Sequence, residues 1–192
     1  MTKFACGIDE VGRGALAGPI VVASVVFKSY RCIPKKIKDS KQTTFNFRES
    51  IFKSILDNAY VGTGIISAYT IDKVGIIKAT SLAIKESLKN NICKNHITLI
   101  DGKFDINLKN ETHYIVKGDC NYVSIAAASI IAKVCRDRIM LEKSLDFPLY
   151  NWEKNKGYGT KDHLLAIKLY GITNFHRKSF KIKFRDKNFY AR

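Results

Sequence analysis

Gly7-Ile-Asp-Glu-Val-Gly-Arg-Gly14 decides how this chain is read. Apolar Phe4, Ala5, Cys6 and Ile8 lead into two adjacent acids, Asp9 and Glu10, and a Gly-Arg-Gly turn follows. Side chains alternate along a strand, so residues 9 and 10 point to opposite sides. A carboxylate pair at a strand's carboxyl end can hold a hard divalent cation, because Mg²⁺ prefers oxygen ligands. Gly12 and Gly14 let backbone amides approach a phosphate, and Arg13 can fork onto it. Asp-Glu alone is also the pattern of a strand ending in a charged turn. The glycine turn and the sequence downstream favour a site.

Working outward, Ile20-Val-Val-Ala-Ser-Val-Val-Phe27 is a β-branched run opened by Pro19, and it predicts a buried strand. Its short link to the first strand predicts an antiparallel pair. Further strands are expected over Tyr60–Ala68, Ile97–Ile100 and His113–Val116. Helices are expected over Thr44–Asn58, Gly75–Asn90, Ser124–Leu145 and Asp162–Tyr170, the last stopped by Gly171. This is an α/β pattern with a mixed sheet. Asp9, Asp101 (in Leu99-Ile-Asp-Gly102) and Asp119 (in Val116-Lys-Gly-Asp119) each follow a strand-like segment. Ligands of open α/β sheets sit beyond the carboxyl ends of strands. Four carboxylates gathered there would repel one another unless cations neutralise them. A two-metal site of this kind stabilises the attacking and leaving oxygens of a phosphodiester. Asp119 is equally placed to cap the long helix. Asp137, with Lys133 four residues before it, reads as an ordinary helix ion pair.

The 192 residues suit one domain. Lys and Arg number 33 against 17 acids, a formal charge of +16 that points to a polyanionic partner, above all nucleic acid. Residues 151–192 hold eleven Lys/Arg and three acids, a net +8, interleaved with aromatics such as Tyr158, Phe175 and Phe180. No apolar run approaches the roughly 20 residues of a membrane span, which speaks against a membrane protein. Five cysteines without a Cys-x-x-Cys pair argue against zinc or a disulfide framework and fit a reducing cytosol. No signal peptide is expected, so the predicted location is cytoplasmic.

Seven blocks in order resemble ribonuclease HII: Gly7–Pro19, Asp39-Ser-Lys41, Leu99–Gly102, Val116–Asp119, Ser124–Arg138, Asn155-Lys-Gly-Tyr-Gly-Thr160 and His176-Arg-Lys-Ser-Phe180. The resemblance spans nearly the whole chain. It implies a ribonuclease H-like fold with a catalytic core over about 1–145 and a basic helical extension over about 146–192. It implies an endonuclease that cuts the RNA strand of RNA–DNA hybrids, and 5′ to single ribonucleotides in duplex DNA, leaving 5′-phosphate and 3′-hydroxyl ends. Asp9, Glu10, Asp101 and Asp119 match the family's catalytic acids, which hold Mg²⁺ or Mn²⁺, two ions being expected during catalysis. Gly12, Arg13 and Gly14 match its ribonucleotide sensor, and Tyr158 its junction tyrosine. Reading one ribonucleotide means reading a 2′-hydroxyl, which both donates and accepts. Ser40 and Lys41 would contact phosphate. His176 and Arg177 would support the junction loop or bind phosphate, and neither His163 nor His176 is expected to be a general base. Arg13, where the sister family ribonuclease HIII typically has lysine, favours type HII. A monomer is implied. Another ribonuclease H-like nuclease and a non-catalytic hybrid-binding protein remain the alternatives.

Overall fold

The computed structural model describes residues 4–34, 37, 45–104 and 106–182, with backbone alone for 45–47. Asp39, Ser40, Lys41 and the last ten residues of the basic tail lie outside this set.

Five strands form one mixed sheet in the order β3-β2-β1-β4-β5. β1 (Phe4–Val11) runs antiparallel to β2 (Ile20–Phe27), and β2 antiparallel to β3 (Ala59–Ile66). β4 (His96–Asp101) is parallel to β1, and β5 (Thr112–Ile115) is parallel to β4. The segment from Gly12 to Pro19 is too short for a parallel crossover, which needs a dozen residues or more, so β1 and β2 must pair antiparallel. The way from β3 to β4 is long enough to carry two helices, α2 (Ala68–Val74) and α3 (Ile76–Asn90).

Both faces of the sheet are covered. Val21, Ala23 and Val25 of β2 pack with Ile51 and Ile55 of α1 (Phe45–Asn58) and Ala127 and Ile131 of α5 (Val123–Asp146). On the other face Cys6, Ile8, Ile20, Val22 and Val26 pack with Ala79, Ala83 and Ile84 of α3. β2 is therefore buried at every position, as its apolar run predicts, and the one polar residue in it, Ser24, donates its hydroxyl to Ser87 O at 3.0 Å. Gly7 lets α5 lie against β1, since a Cβ there would sit 2.1 Å from the carbonyl carbon of Ser124. A third cluster joins Ala17 and Met140 to Tyr150, Trp152, Ala166 and Ile167, docking α7 (Lys161–Tyr170) beside the Gly12–Pro19 loop.

Several boundaries differ from expectation. β1 continues through Asp9 and Glu10 to Val11, because residues 9–11 still pair with β2 after pairing with β4 has ended at Ile8. β3 stops at Ile66, and Ser67 caps α2, its Oγ accepting from Thr70 N–H at 3.2 Å. Gly75, with φ 80°, is both the C-cap of α2 and the N-cap of α3, so the helical residues of α3 begin at Ile76. Two helices too short for a periodicity signal, α4 (Gly118–Asn121) and α6 (Trp152–Asn155), also appear. α7 matches its prediction, with Thr160 accepting from His163 N–H at 3.3 Å and Gly171 at φ 77°. Among the described residues no helix is long and apolar enough to cross a membrane.

Candidate active site

Register places the acids. Asp9 lies opposite Ala23 and Glu10 opposite Val22, and cross-strand partners share a face. Asp9 therefore belongs to the α5 face and Glu10 to the α3 face. Ile8 pairs with Ile100 on the α3 face, so Asp101, one residue on, turns to the α5 face with Asp9. Asp119 sits in α4, between β5 and α5, and is buried. Lys117, at φ 56°, turns the chain there, and Gly118 N–H donates to Asp101 Oδ1 at 3.0 Å. Asp119 is thus inside a helical turn tied to Asp101, and the N-cap of α5 is Tyr122 instead.

The charges feel one another. Burial, then the neighbouring Asp9, and further Asp101, push the Glu10 carboxyl up to about 7, against the lowering effect of Arg13. Arg13 Nη1 stands 3.6 Å from Glu10 Oε1, and its guanidinium lies over the Phe104 ring at 5.6 Å. Among the described residues no three His, Cys, Asp or Glu are gathered as a ready cage for one ion. Strand alternation contributes to this, since it sends Glu10 away from Asp9 and Asp101. The donor set still fits a hard divalent cation. It is all carboxylate, and a positive charge at this edge would relieve the Asp9 and Asp101 repulsion that adds to burial in raising Glu10.

The loop beside the acids is held by two buried arginines. Arg136 of α5 donates to three carbonyls: Pro19 O from Nε (2.9 Å), Lys156 O from Nη1 (2.8 Å) and Ala17 O from Nη2 (3.0 Å). Its guanidinium also lies over the Tyr158 ring at 5.2 Å. Gly12 has to be glycine: its φ is 91°, and a Cβ would meet Arg136 Nε at 2.2 Å. At Gly14, by contrast, a Cβ would meet nothing within 4 Å. Arg177 donates to Gly18 O and Arg13 O, each at 3.0 Å. Burial, and next the charge of Arg136, lower Arg177 to about 9. Asp72 of α2 fixes the segment after Arg177 by accepting from Lys178 N–H and Ser179 N–H, both at 2.9 Å. Arg177 is thus a loop support, and the phosphate alternative for it falls to its burial.

Tyr158 is half-buried at the rim of the same loop. Gly157 O accepts from Leu16 N–H (2.8 Å) and Ala17 N–H (3.2 Å), which ties the two glycine loops together. Trp152 Nε1–H donates to His163 Nε2 at 3.0 Å, leaving His163 Nδ1–H to donate to Tyr158 O at 3.0 Å. Thr173 N–H donates to His176 Nδ1 at 2.9 Å, so the proton of His176 sits on Nε2, 3.2 Å from His163 Nε2. Burial, then His163, lower His176 to about 4. Both histidines are neutral parts of the scaffold. Asp137 pairs with Lys133 Nζ at 2.7 Å, the plain helix ion pair expected.

Sequence reasoning gave no role to Arg136 or Asp72. The signal for Arg136 was available: it is the one cation among the buried residues of α5, which are otherwise small or apolar. Nothing local in the sequence marks Asp72, whose partners lie more than a hundred residues away.

The model of the family described as Ribonuclease HII matches residues 6–183. A ribonuclease HII of Wolbachia sp. subsp. Brugia malayi is 47% identical over 174 residues, covering 91% of this chain and 86% of the relative. The fold resembles that of ribonuclease HII in the PCNA:RNase HII complex from Archaeoglobus fulgidus, with TM-score 0.82, 24% identity, and 97% and 100% of the two chains covered. It also resembles Bst-RNase HIII in complex with Mn²⁺, with TM-score 0.66, 22% identity, and 88% and 63% covered. The chain belongs to the ribonuclease HII family and is an endoribonuclease of the ribonuclease H type.

Proposed function

We propose that this protein cuts the RNA strand of RNA–DNA hybrids, and cuts 5′ to single ribonucleotides embedded in duplex DNA, leaving 5′-phosphate and 3′-hydroxyl ends. The observation that carries this reading is the meeting of two features: the repelling carboxylates Asp9, Glu10 and Asp101, and the Gly12-Arg13-Gly14 loop within 3.6 Å of Glu10. Asp9, Glu10, Asp101 and Asp119 would hold Mg²⁺ or Mn²⁺. Such ions, when bound, supply a hydroxide nucleophile and neutralise the departing 3′-oxygen.

The protein's own groups do the rest. Arg13 is 47% exposed along its side chain and presents its free donors to the phosphate beside the cut. Open space at Gly14 lets the backbone reach a 2′-hydroxyl. Tyr158, held under Arg136, lays its ring on the neighbouring sugar and leaves no room for a hydroxyl there. The basic residues of 146–192, with Ser40 and Lys41, would contact the phosphate backbone, so binding weakens steeply with salt.

Cleavage of a labelled duplex with one ribonucleotide, with Mg²⁺ or Mn²⁺, tests the reading beside an all-DNA control. A metal-dependent cut 5′ to the ribonucleotide, absent from the control, is expected. Binding without cutting would return the hybrid-binding alternative, and cutting of the all-DNA control would mean a different nuclease specificity.

A further inference from the structure

A cavity of about 630 Å³ opens at the far end of the sheet from the acids. It lies between α3, the start of β4 and the segment 106–110. His96, on its wall, pairs with Phe4, whereas Asp101 lies five residues further along β4. At the rise of a strand this separates the cavity from the carboxylate edge by about 17 Å. Its size is that of a small-molecule site.

Its walls are charged in one sense only. Lys85, Leu88 and Lys89 share a face of α3 at the i, i+3, i+4 spacing, and Lys94 and Lys109 stand on the other walls. Among the described residues the lining contains no acid. The Lys94 ammonium is committed: it donates to Leu88 O (2.9 Å), Lys89 O (3.0 Å) and Asn91 O, closing the carboxyl end of α3. Lys85, Lys89 and Lys109 are exposed, and their ammonium groups make no hydrogen bond or ion pair with the described residues. Half-buried Leu88 and Leu108 supply an apolar patch between them.

The cavity is held open by the fold. Asn110 Nδ2–H₂ donates to Lys94 O and His96 O, both at 3.2 Å, and Tyr114 Oη–H donates to Ile106 O at 2.9 Å. The 106–110 wall is thereby fixed at both ends. Lys85, Lys89 and Lys109 are the charges at this hollow without a counter-charge in its lining, and a polyanion that enters would supply one. A bare phosphate would leave the leucines uncovered.

We infer that this cavity is a second ligand site, for a nucleoside polyphosphate, with the phosphate chain across Lys85, Lys89 and Lys109 and the base against Leu88 and Leu108. The site is separate from the cleavage edge, so the inference stands whether or not the proposed substrate is right.

Isothermal titration of the full chain, without divalent ions, tests it with three probes: ATP, inorganic tripolyphosphate and adenosine. One equivalent of ATP is expected to bind, tripolyphosphate about tenfold more weakly, and adenosine not at all. The Lys85→Ala/Lys89→Ala double variant should bind ATP about tenfold or more weakly, since each lost bond to a charged group removes a sizeable part of the affinity. Both positions are exposed, so its melting temperature and its cleavage of the single-ribonucleotide duplex should match the parent's. No saturable ATP binding would overturn the site. Equal ATP affinity in the double variant would place the nucleotide on another basic face. Tripolyphosphate binding as tightly as ATP would overturn the nucleoside part.

Discussion

Asp9, Glu10 and Asp101 are placed by strands, whereas Arg13 and Tyr158 are placed by two buried guanidinium groups. The acids project from β1 and β4, whose register is set by backbone hydrogen bonds and by core packing on both faces. The loop 12–19 has only an isolated antiparallel bridge, Ala17 to His176, in place of a ladder. Its carbonyls at 13, 17, 18 and 19 end on Arg177 and Arg136. One region should therefore tolerate isosteric change without unfolding and lose only chemistry, while the other should lose structure first.

The acid edge gives the largest effect. Asp101→Asn keeps an oxygen to accept from Gly118 N–H and removes one charge from the repelling set. Cleavage should fall by about a thousandfold, the order of several kcal/mol of lost charge stabilisation. Stability should hold or rise slightly. Rates measured beside a thermal melt check both, and a large drop in melting temperature would erase the contrast with the loop.

Arg136→Met reverses the pattern. It leaves the carbonyls of Ala17, Pro19 and Lys156 without their donor and should cost about 3–5 kcal/mol of stability. Urea unfolding measures this. A loss of under 1 kcal/mol would mean that the loop is held by its glycine-loop contacts and not by the guanidinium.

The histidine pair behind Tyr158 gives a pH test of the same frame. His176 takes up its proton near 6.5 when unfolded but only at about 4 when folded. The unfolded state therefore binds more protons between these values, and stability is lost as pH falls through that window. The full effect is on the order of 3 kcal/mol, of which about 2 should be gone by pH 5. Unfolding at pH 7.5 and pH 5 should show a smaller loss for His176→Asn than for the parent. Equal slopes would mean that other groups carry the acid sensitivity.

Much of this was legible in the chain. The β-branched run 20–27 read as a buried strand, and the short link before it pointed to the antiparallel pair. Asp9, Glu10 and Asp101 were visible because each interrupts or ends an apolar run. Asp119 was visible as a residue but not as a setting, since a four-residue helix has too little length to carry a period. The loop frame was hidden for a different reason. Arg136 itself could be noticed as a cation on an apolar helix, but its partners could not, because backbone carbonyls leave no residue type to look for and Pro19 lies 117 positions away.

Gly14→Ala gives the smallest structural effect and divides the two regions most finely. Gly12 is required by its φ of 91° and by Arg136, and Gly12→Ala should destabilise. Gly14 has no positive φ, and its Cβ direction is open. By packing alone Gly14→Ala should therefore be neutral, or stabilising by about 0.4–1 kcal/mol through a less flexible unfolded chain. If the open space is where a 2′-hydroxyl is read, the added methyl should lower the preference for a ribonucleotide-containing duplex over an all-DNA duplex. The ratio of the two binding constants, taken with the melting temperature, is the measurement. An unchanged ratio in a stable variant would move the reading of the 2′-hydroxyl away from residue 14, to Gly12 or the Arg13 amide.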